Sequence, residues 1–143
     1  MFATAFCRVA FTALLAVLFL GCTGDDSRTA IVRGKITYNG KPVPNGTINF
    51  IPASGTAATG EIQSDGSYTL TTYKSGDGAI PGKHTVVIIA LEDTSSRLPE
   101  ERSPLPAPIV PDKYTSVATS DLRAVVEDKE NTVNFELTGE TQP

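Results

Sequence analysis

The chain contains no tryptophan, a single histidine (His84) and two cysteines (Cys7 and Cys22). Aromatic residues make up only 7% of it, which leaves little for an exposed ring platform on which sugars could stack. Basic residues number 12 against 16 acidic ones, a net charge of −4, and they cluster nowhere. A nucleic-acid footprint needs a basic patch or stripe, so that class of partner is disfavoured. A zinc site draws its ligands from Cys, His and carboxylate, and a triad enzyme needs a base. One histidine supplies almost nothing for either chemistry. No segment carries the apolar period of a long helix, and only one apolar run is long enough to concern a membrane.

That run is Val9 to Leu20, preceded by Arg8. A spanning helix needs about 20 apolar residues, so a run of about 12 fits the hydrophobic region of a signal peptide instead. It ends in Phe19-Leu20-Gly21-Cys22, which resembles the lipobox of bacterial lipoproteins. The resemblance implies that residues 1–21 are removed as a signal peptide. Cys22 would then be lipidated on sulfur as the mature N-terminus, with residues 22–29 as a polar tether. The implied location is the bacterial cell envelope, lipid-anchored and facing the periplasm or the cell surface, with the outer membrane as the expected site. The alternatives are an ordinary secretory signal with a coincidental cysteine, or an uncleaved anchor. Under the lipoprotein reading Cys7 leaves with the signal and Cys22 is acylated. No thiol then remains for a disulfide, a metal or nucleophilic catalysis.

Residues 30–138 read as one all-β domain, followed by a polar tail at 139–143. Val32, Gly34, Ile36 and Tyr38 alternate with polar residues, the period-2 mark of a strand with one buried face. Asn39-Gly40 is a turn pair, and Pro42 and Pro44 are barred from a central ladder position. Ile48 and Phe50 face inward in a second strand that Pro52 ends. Thr59–Gln63 and Tyr68–Thr72 flank Ser64-Asp65-Gly66-Ser67 and read as a hairpin. Lys83–Leu91 is apolar on both faces and fits a central strand. Tyr114–Ser120 suits a short helical turn, and Leu122–Glu127 and Thr132–Leu137 close the set, with Val133, Phe135 and Leu137 inward. About seven short strands predict an antiparallel Greek-key β-sandwich.

The turn and core motifs Val32-x-Gly34, Asn39-Gly40-Lys41-Pro42-Val43-Pro44-Asn45-Gly46-Thr47, Asp65-Gly66-Ser67-Tyr68-Thr69-Leu70 and Pro81-Gly82-Lys83-His84 are similar to the carboxypeptidase regulatory-like domain. The closing stretch, Pro111-Asp112-Lys113-Tyr114 through Asn134-Phe135-x-Leu137, resembles small bacterial envelope lipoproteins that carry this domain. The resemblance implies a seven-stranded transthyretin-like sandwich with a structural, adhesive or accessory role. It implies no catalytic residues and no cofactor.

The remaining candidates for chemistry have ordinary explanations. His84 falls in a strand, where packing outweighs a role as base. Glu61, Asp65, Glu92, Asp93, Glu100 and Glu101 lie in turns, loops or outward positions, so hydrolysis by paired carboxylates is a remote alternative. Asp65-Gly66 and Asp77-Gly78 suit turns better than calcium loops, because the alternating acidic series and distal glutamate are missing. The unusual stretch is 92–113, with prolines at 99, 104, 106, 108 and 111 and no period. Arg97, Pro99, Pro104, Pro106 and Pro108 mark it as a candidate partner-binding loop, since proline favours extended segments that dock at low entropic cost. The plainer reading is a stiffened crossover between two sheets. The expected function is a non-catalytic, membrane-anchored domain that supports structure or binds an envelope protein or glycan, without metal or cofactor. A small-ligand-binding accessory lipoprotein is the alternative, and it requires a partly apolar pocket of at least about 300 Å³.

Overall fold

The computed structural model describes residues 28–95 and 105–139. The alternation in the sequence appears there as β1 (Val32–Tyr38), β2 (Lys41–Pro42), β3 (Gly46–Pro52), β4 (Ala58–Ile62), β5 (Ser67–Thr69), β6 (Gly82–Ile89), β7 (Arg123–Val126), β8 (Asn131–Thr132) and β9 (Phe135–Leu137). No α-helix occurs among the described residues. A 3-10 turn occupies Asp112–Tyr114, and the helical turn expected over Tyr114–Ser120 follows as a single turn in which Ser120 N–H donates to Ser116 C=O at 2.8 Å.

Two sheets share one core. In the first, β1 is central, with β2 and β5 antiparallel on one side and β8 and β9 parallel on the other. In the second, the order β4-β3-β6-β7 is antiparallel throughout. The fold is therefore all-β, with two sheets dominated by antiparallel pairs. The wholly antiparallel expectation is corrected at one place, because the first and last strands run the same way. Residues 127–130 carry the chain from β7 to the end of the first sheet where β1 begins, so the last strand enters beside β1 in the same direction. Apolar alternation reports which face is buried and not which way a neighbour runs.

The expected hairpin around Asp65 is also revised. Its turn closes, with Gln63 N–H donating to Ser67 C=O at 2.8 Å, and Thr59 and Thr71 exchange two bonds of 2.9 Å. Between these points the arms part company, β4 pairing with β3 and β5 with β1. The hairpin is the joint between the sheets. Gly60 makes it possible, since a Cβ there would lie 2.8 Å from the Thr69 carbonyl oxygen. The Asn39-Gly40 turn matches its chemistry, with φ of 48° and 78° linking Tyr38 to Lys41.

The last strand is split at Val133-Asn134 without loss of register, since Arg33 faces Thr132 and Ile36 faces Phe135. Val133 N–H donates to Arg33 C=O at 2.9 Å. The next ladder bond of a parallel pair would run from Lys35 N–H to Val133 C=O. Instead Lys35 N–H donates to the Asn134 side-chain oxygen at 2.9 Å. The released Val133 carbonyl accepts the Tyr68 hydroxyl at 2.7 Å. Gly34 leaves room for it, because a Cβ there would sit 1.7 Å from the Val133 oxygen.

Phe50 anchors the interior from β3. Its ring lies 6.3 Å from that of Tyr68 and 6.1 Å from that of Phe135, both on the opposite sheet, and 5.7 Å from His84 on its own. Ile36, Ile48, Leu70, Val86, Ile88 and Leu137 fill the space around it and are fully buried. Each such side chain contributes about 1.5–3 kcal/mol when removed from water.

Two substitutions test the split strand by chemical denaturation. Tyr68→Phe takes the hydroxyl partner from the part-buried Val133 carbonyl and is expected to cost about 1–3 kcal/mol. Gly34→Ala drives a methyl into that carbonyl and is expected to cost about 3 kcal/mol or more. If Gly34→Ala proves the milder of the two, the close approach does not constrain the fold.

Candidate functional site

The stretch at 92–113 is not a crossover between sheets, because β6 before it and β7 after it are neighbours in the same sheet. It leaves the end of β6 and returns alongside. Glu92 N–H donates to Ala107 C=O and Ile109 N–H donates to Ala90 C=O, both at 2.9 Å, and Leu91 pairs with Pro108 between them. Leu91 and Pro108 are thus a non-hydrogen-bonded pair, the one kind of ladder position that does not ask proline for an N–H. Beyond the ladder, Val110 and Tyr114 are buried in the core, and the Tyr114 hydroxyl donates to Thr138 C=O at 3.0 Å. The return limb is therefore fixed on both sides of Pro111.

Pro106 and Pro108 lie on this limb and are partly buried, beside Leu105, which is 88% exposed. Arg97, Pro99, Pro104 and the lipidation candidate Cys22 lie outside the described residues, as do Glu100 and Glu101. What the described chain brings together is the loop's base and not its tip.

A second feature gave no sequence signal. An open groove of about 1090 Å³ runs over the outer face of the first sheet, beside the joint between β4 and β5. Its lining includes Arg33, Lys35, Glu61, Thr69, Thr132 and Asn134. All are exposed and all but Asn134 are outward strand positions, which in one dimension look like any solvated face. The two cations are held by acids at the rim, Arg33 with Glu130 at 3.2 Å and Lys35 with Asp65 at 3.4 Å.

His84 is buried on β6 against the Phe50 ring, and its Nε2 lies 2.7 Å from Ile80 C=O. Nδ1 is buried without a partner. A ring that is closed to solvent and has no nucleophile or carboxylate bonded to it reads as a packing element. Among the described residues no cluster of His, Cys, Asp or Glu is arranged to hold a metal ion.

The two Asp-Gly turns organise backbone. The Asp77 carboxylate accepts N–H bonds from Thr72, Lys74 and Tyr73 at 2.7, 2.9 and 3.0 Å. Desolvation pushes its pKa up, but these bonds outweigh that and leave it below the usual carboxylate value. Asp65 accepts the Ser67 hydroxyl at 2.5 Å and the Ser67 N–H at 3.0 Å. With these bonds leading and Lys35 adding to them, its carboxyl is lowered from 3.8 to about 2. Compared with known proteins, the chain matches no family model and no curated sequence.

Two experiments follow from this geometry. His84→Phe keeps a ring against Phe50 but removes the donor to Ile80 C=O, and is expected to cost about 1–3 kcal/mol. His84→Ala opens a cavity and is expected to cost about 2–5 kcal/mol. A greater loss from phenylalanine than from alanine would mean that the imidazole does more than fill space. For Asp65 the folded pKa lies below the unfolded one, so its stabilisation is full above 3.8 and is lost as pH falls through about 2. The melting-temperature gap between the wild type and Asp65→Asn should therefore be present at neutral pH and close in that acid window. A gap independent of pH would remove the carboxylate from the account.

Proposed function

We propose that the protein is a non-catalytic, lipid-anchored domain of the bacterial cell envelope that presents the 92–108 loop to a partner. The observation that carries this reading is the loop's construction. A proline-rich excursion is closed at its base by a backbone ladder, followed by two core residues, and places Leu105 in solvent. A connector between adjacent strands β6 and β7 needs only a few residues, so this length serves something other than connectivity. The anchoring part rests on the apolar run ending at Cys22, with lipid on its sulfur holding the domain to the membrane. No helix among the described residues is long and apolar enough to cross a membrane.

The finer fold assignment belongs to the same proposal. Counting β8 and β9 as one path and β2 as an extension of the β1 turn leaves seven strand paths in two sheets. That supports a Greek-key, transthyretin-like sandwich related to the carboxypeptidase regulatory-like domain. The parallel pairing of its first and last strands is the departure from a purely antiparallel scheme. A second reading, a small-ligand-binding accessory lipoprotein, draws on the groove over β1, β4, β5 and β8. Its volume exceeds the few hundred Å³ that a ligand needs, and it is open to solvent along its length.

Removing residues 97–104 separates the loop's role from its base. The paired residues 90–92 and 107–109 remain, so the melting temperature should stay within a few degrees of the wild type, while recovery of the envelope partner by crosslinking and pull-down is lost. An unchanged partner set would reduce the loop to a connector.

A further inference from the structure

Four places in the chain join aspartate or asparagine to glycine: Asn39-Gly40, Asn45-Gly46, Asp65-Gly66 and Asp77-Gly78. All four lie among the described residues. Glycine, having no Cβ, least hinders its own nitrogen from attacking the preceding side chain, the reaction that forms a succinimide. By local sequence the two Asn-Gly pairs are alike. The fold treats the four pairs differently.

Three of them are tied down. At Asp77-Gly78 the carboxylate accepts its three N–H bonds, and Gly78 N–H donates to Leu70 C=O at 3.0 Å. At Asp65-Gly66 the carboxylate holds the Ser67 hydroxyl and N–H, and Gly66 N–H donates to Gln63 C=O at 2.8 Å. Both carboxyls are held below their usual pKa, so at neutral pH they carry the charge that turns a nucleophile away. At Asn45-Gly46 the attacking nitrogen belongs to a ladder. Thr59 spends its N–H and C=O on Thr71, so the alternate residues of β4, Ile62 among them, bond to β3, where Ile62 stands opposite Gly46. Gly46 is also pressed against the end of β6, since a Cβ there would lie 2.4 Å from the Ile89 oxygen.

Asn39-Gly40 is the exception. Both residues are exposed, and neither the Asn39 carboxamide nor the Gly40 N–H has a hydrogen-bond partner among the described residues. With φ of 48° and 78° the closed turn keeps the Gly40 nitrogen away from the Asn39 side chain, so attack waits for the turn to open. Little opposes that opening. β2 has two residues, pairing Lys41 with Tyr38 and Pro42 with Thr37, and proline brings no N–H to the ladder. Freeing Gly46 would instead pull β3 from β4.

We propose that Asn39 is a site of spontaneous deamidation in the folded protein, and that the fold protects the other three pairs. The Gly40 nitrogen gives its proton to solvent base and bonds to Asn39 Cγ. The Cγ–Nδ2 bond breaks, and the nitrogen leaves as ammonia. Water then opens the succinimide, giving aspartate when it adds at Cγ and isoaspartate when it adds at the main-chain carbonyl. No electrons are exchanged. Either product puts a carboxylate at position 39. Isoaspartate also routes the backbone through the side chain, which lengthens a two-residue turn beyond what β2 can close.

The test incubates the purified full-length chain in mildly alkaline buffer, once natively and once in urea. Mass spectrometry with fragmentation that separates isoaspartate from aspartate follows each of the four pairs. In the native sample Asn39 should convert at least about tenfold faster than Asn45, whose exposure needs the larger opening. In urea, where both are freed, the two rates should converge. If Asn45 keeps pace with Asn39 natively, or Asn39 stays intact natively while the urea sample converts, the inference falls. Isoaspartate forming natively at Asp65 or Asp77 as fast as at Asn39 overturns the protection of those turns. Asn39→Gln should abolish the acidic species that accumulates on ion exchange, and its persistence would place the modification elsewhere.

Discussion

A single released carbonyl governs how this chain closes. Between β8 and β9 the Val133 oxygen leaves the ladder, and Tyr68 on β5 supplies its replacement donor across β1. Asn134 in turn gives Lys35 the acceptor it has lost. The exchange leaves the number of satisfied groups unchanged but converts a two-strand contact into a three-strand one. Since an unpaired buried carbonyl costs more than a made bond returns, the arrangement holds only while Gly34, Tyr68 and Asn134 are present together. The first, fifth and last strand segments are therefore specified as a unit. Phe50 presses on the same place from the other sheet through Tyr68 and Phe135.

Much of this was legible along the chain, and the limits have physical reasons. Val32, Ile36, Ile48, Phe50, Tyr68 and Leu137 announce their burial by alternation, because a strand's faces are a local property. Asn39-Gly40 announces its turn because the required positive φ suits few other residues. Strand partners are not local. Nothing within Thr59–Thr72 indicates that β4 and β5 enter different sheets, and nothing in Thr132–Leu137 indicates a parallel neighbour. The proline density at 92–113 pointed to the candidate loop. Its closed base escaped notice because Ala90, Leu91, Ala107 and Pro108 make no pattern until their backbones meet. The groove was hidden for a similar reason, since threonine and lysine at outward positions are what any solvated strand displays.

Much of the described charge is spent inside local structure. The described acids with lowered pKa, Asp65, Asp77 and Asp93, spend their charge on nearby N–H and hydroxyl donors within their own turns. Arg33 and Lys35, the cations of the groove, face acids across exposed pairs of the kind that contribute about 0–1 kcal/mol. The one imidazole is buried against Phe50 and bonded to the Ile80 carbonyl. These described polar groups are committed to holding backbone in place.

The ladder beneath the proline-rich loop also frees its length from the stability of the rest. The closure of that loop is made by groups on its two limbs, so the length between them enters folding through the entropy of loop closure. That entropy changes by about 0.6 kcal/mol for each doubling of length. A change in the loop's length therefore adds little to the cost of folding the two sheets, which close beneath it through the ladder of 90–92 with 107–109.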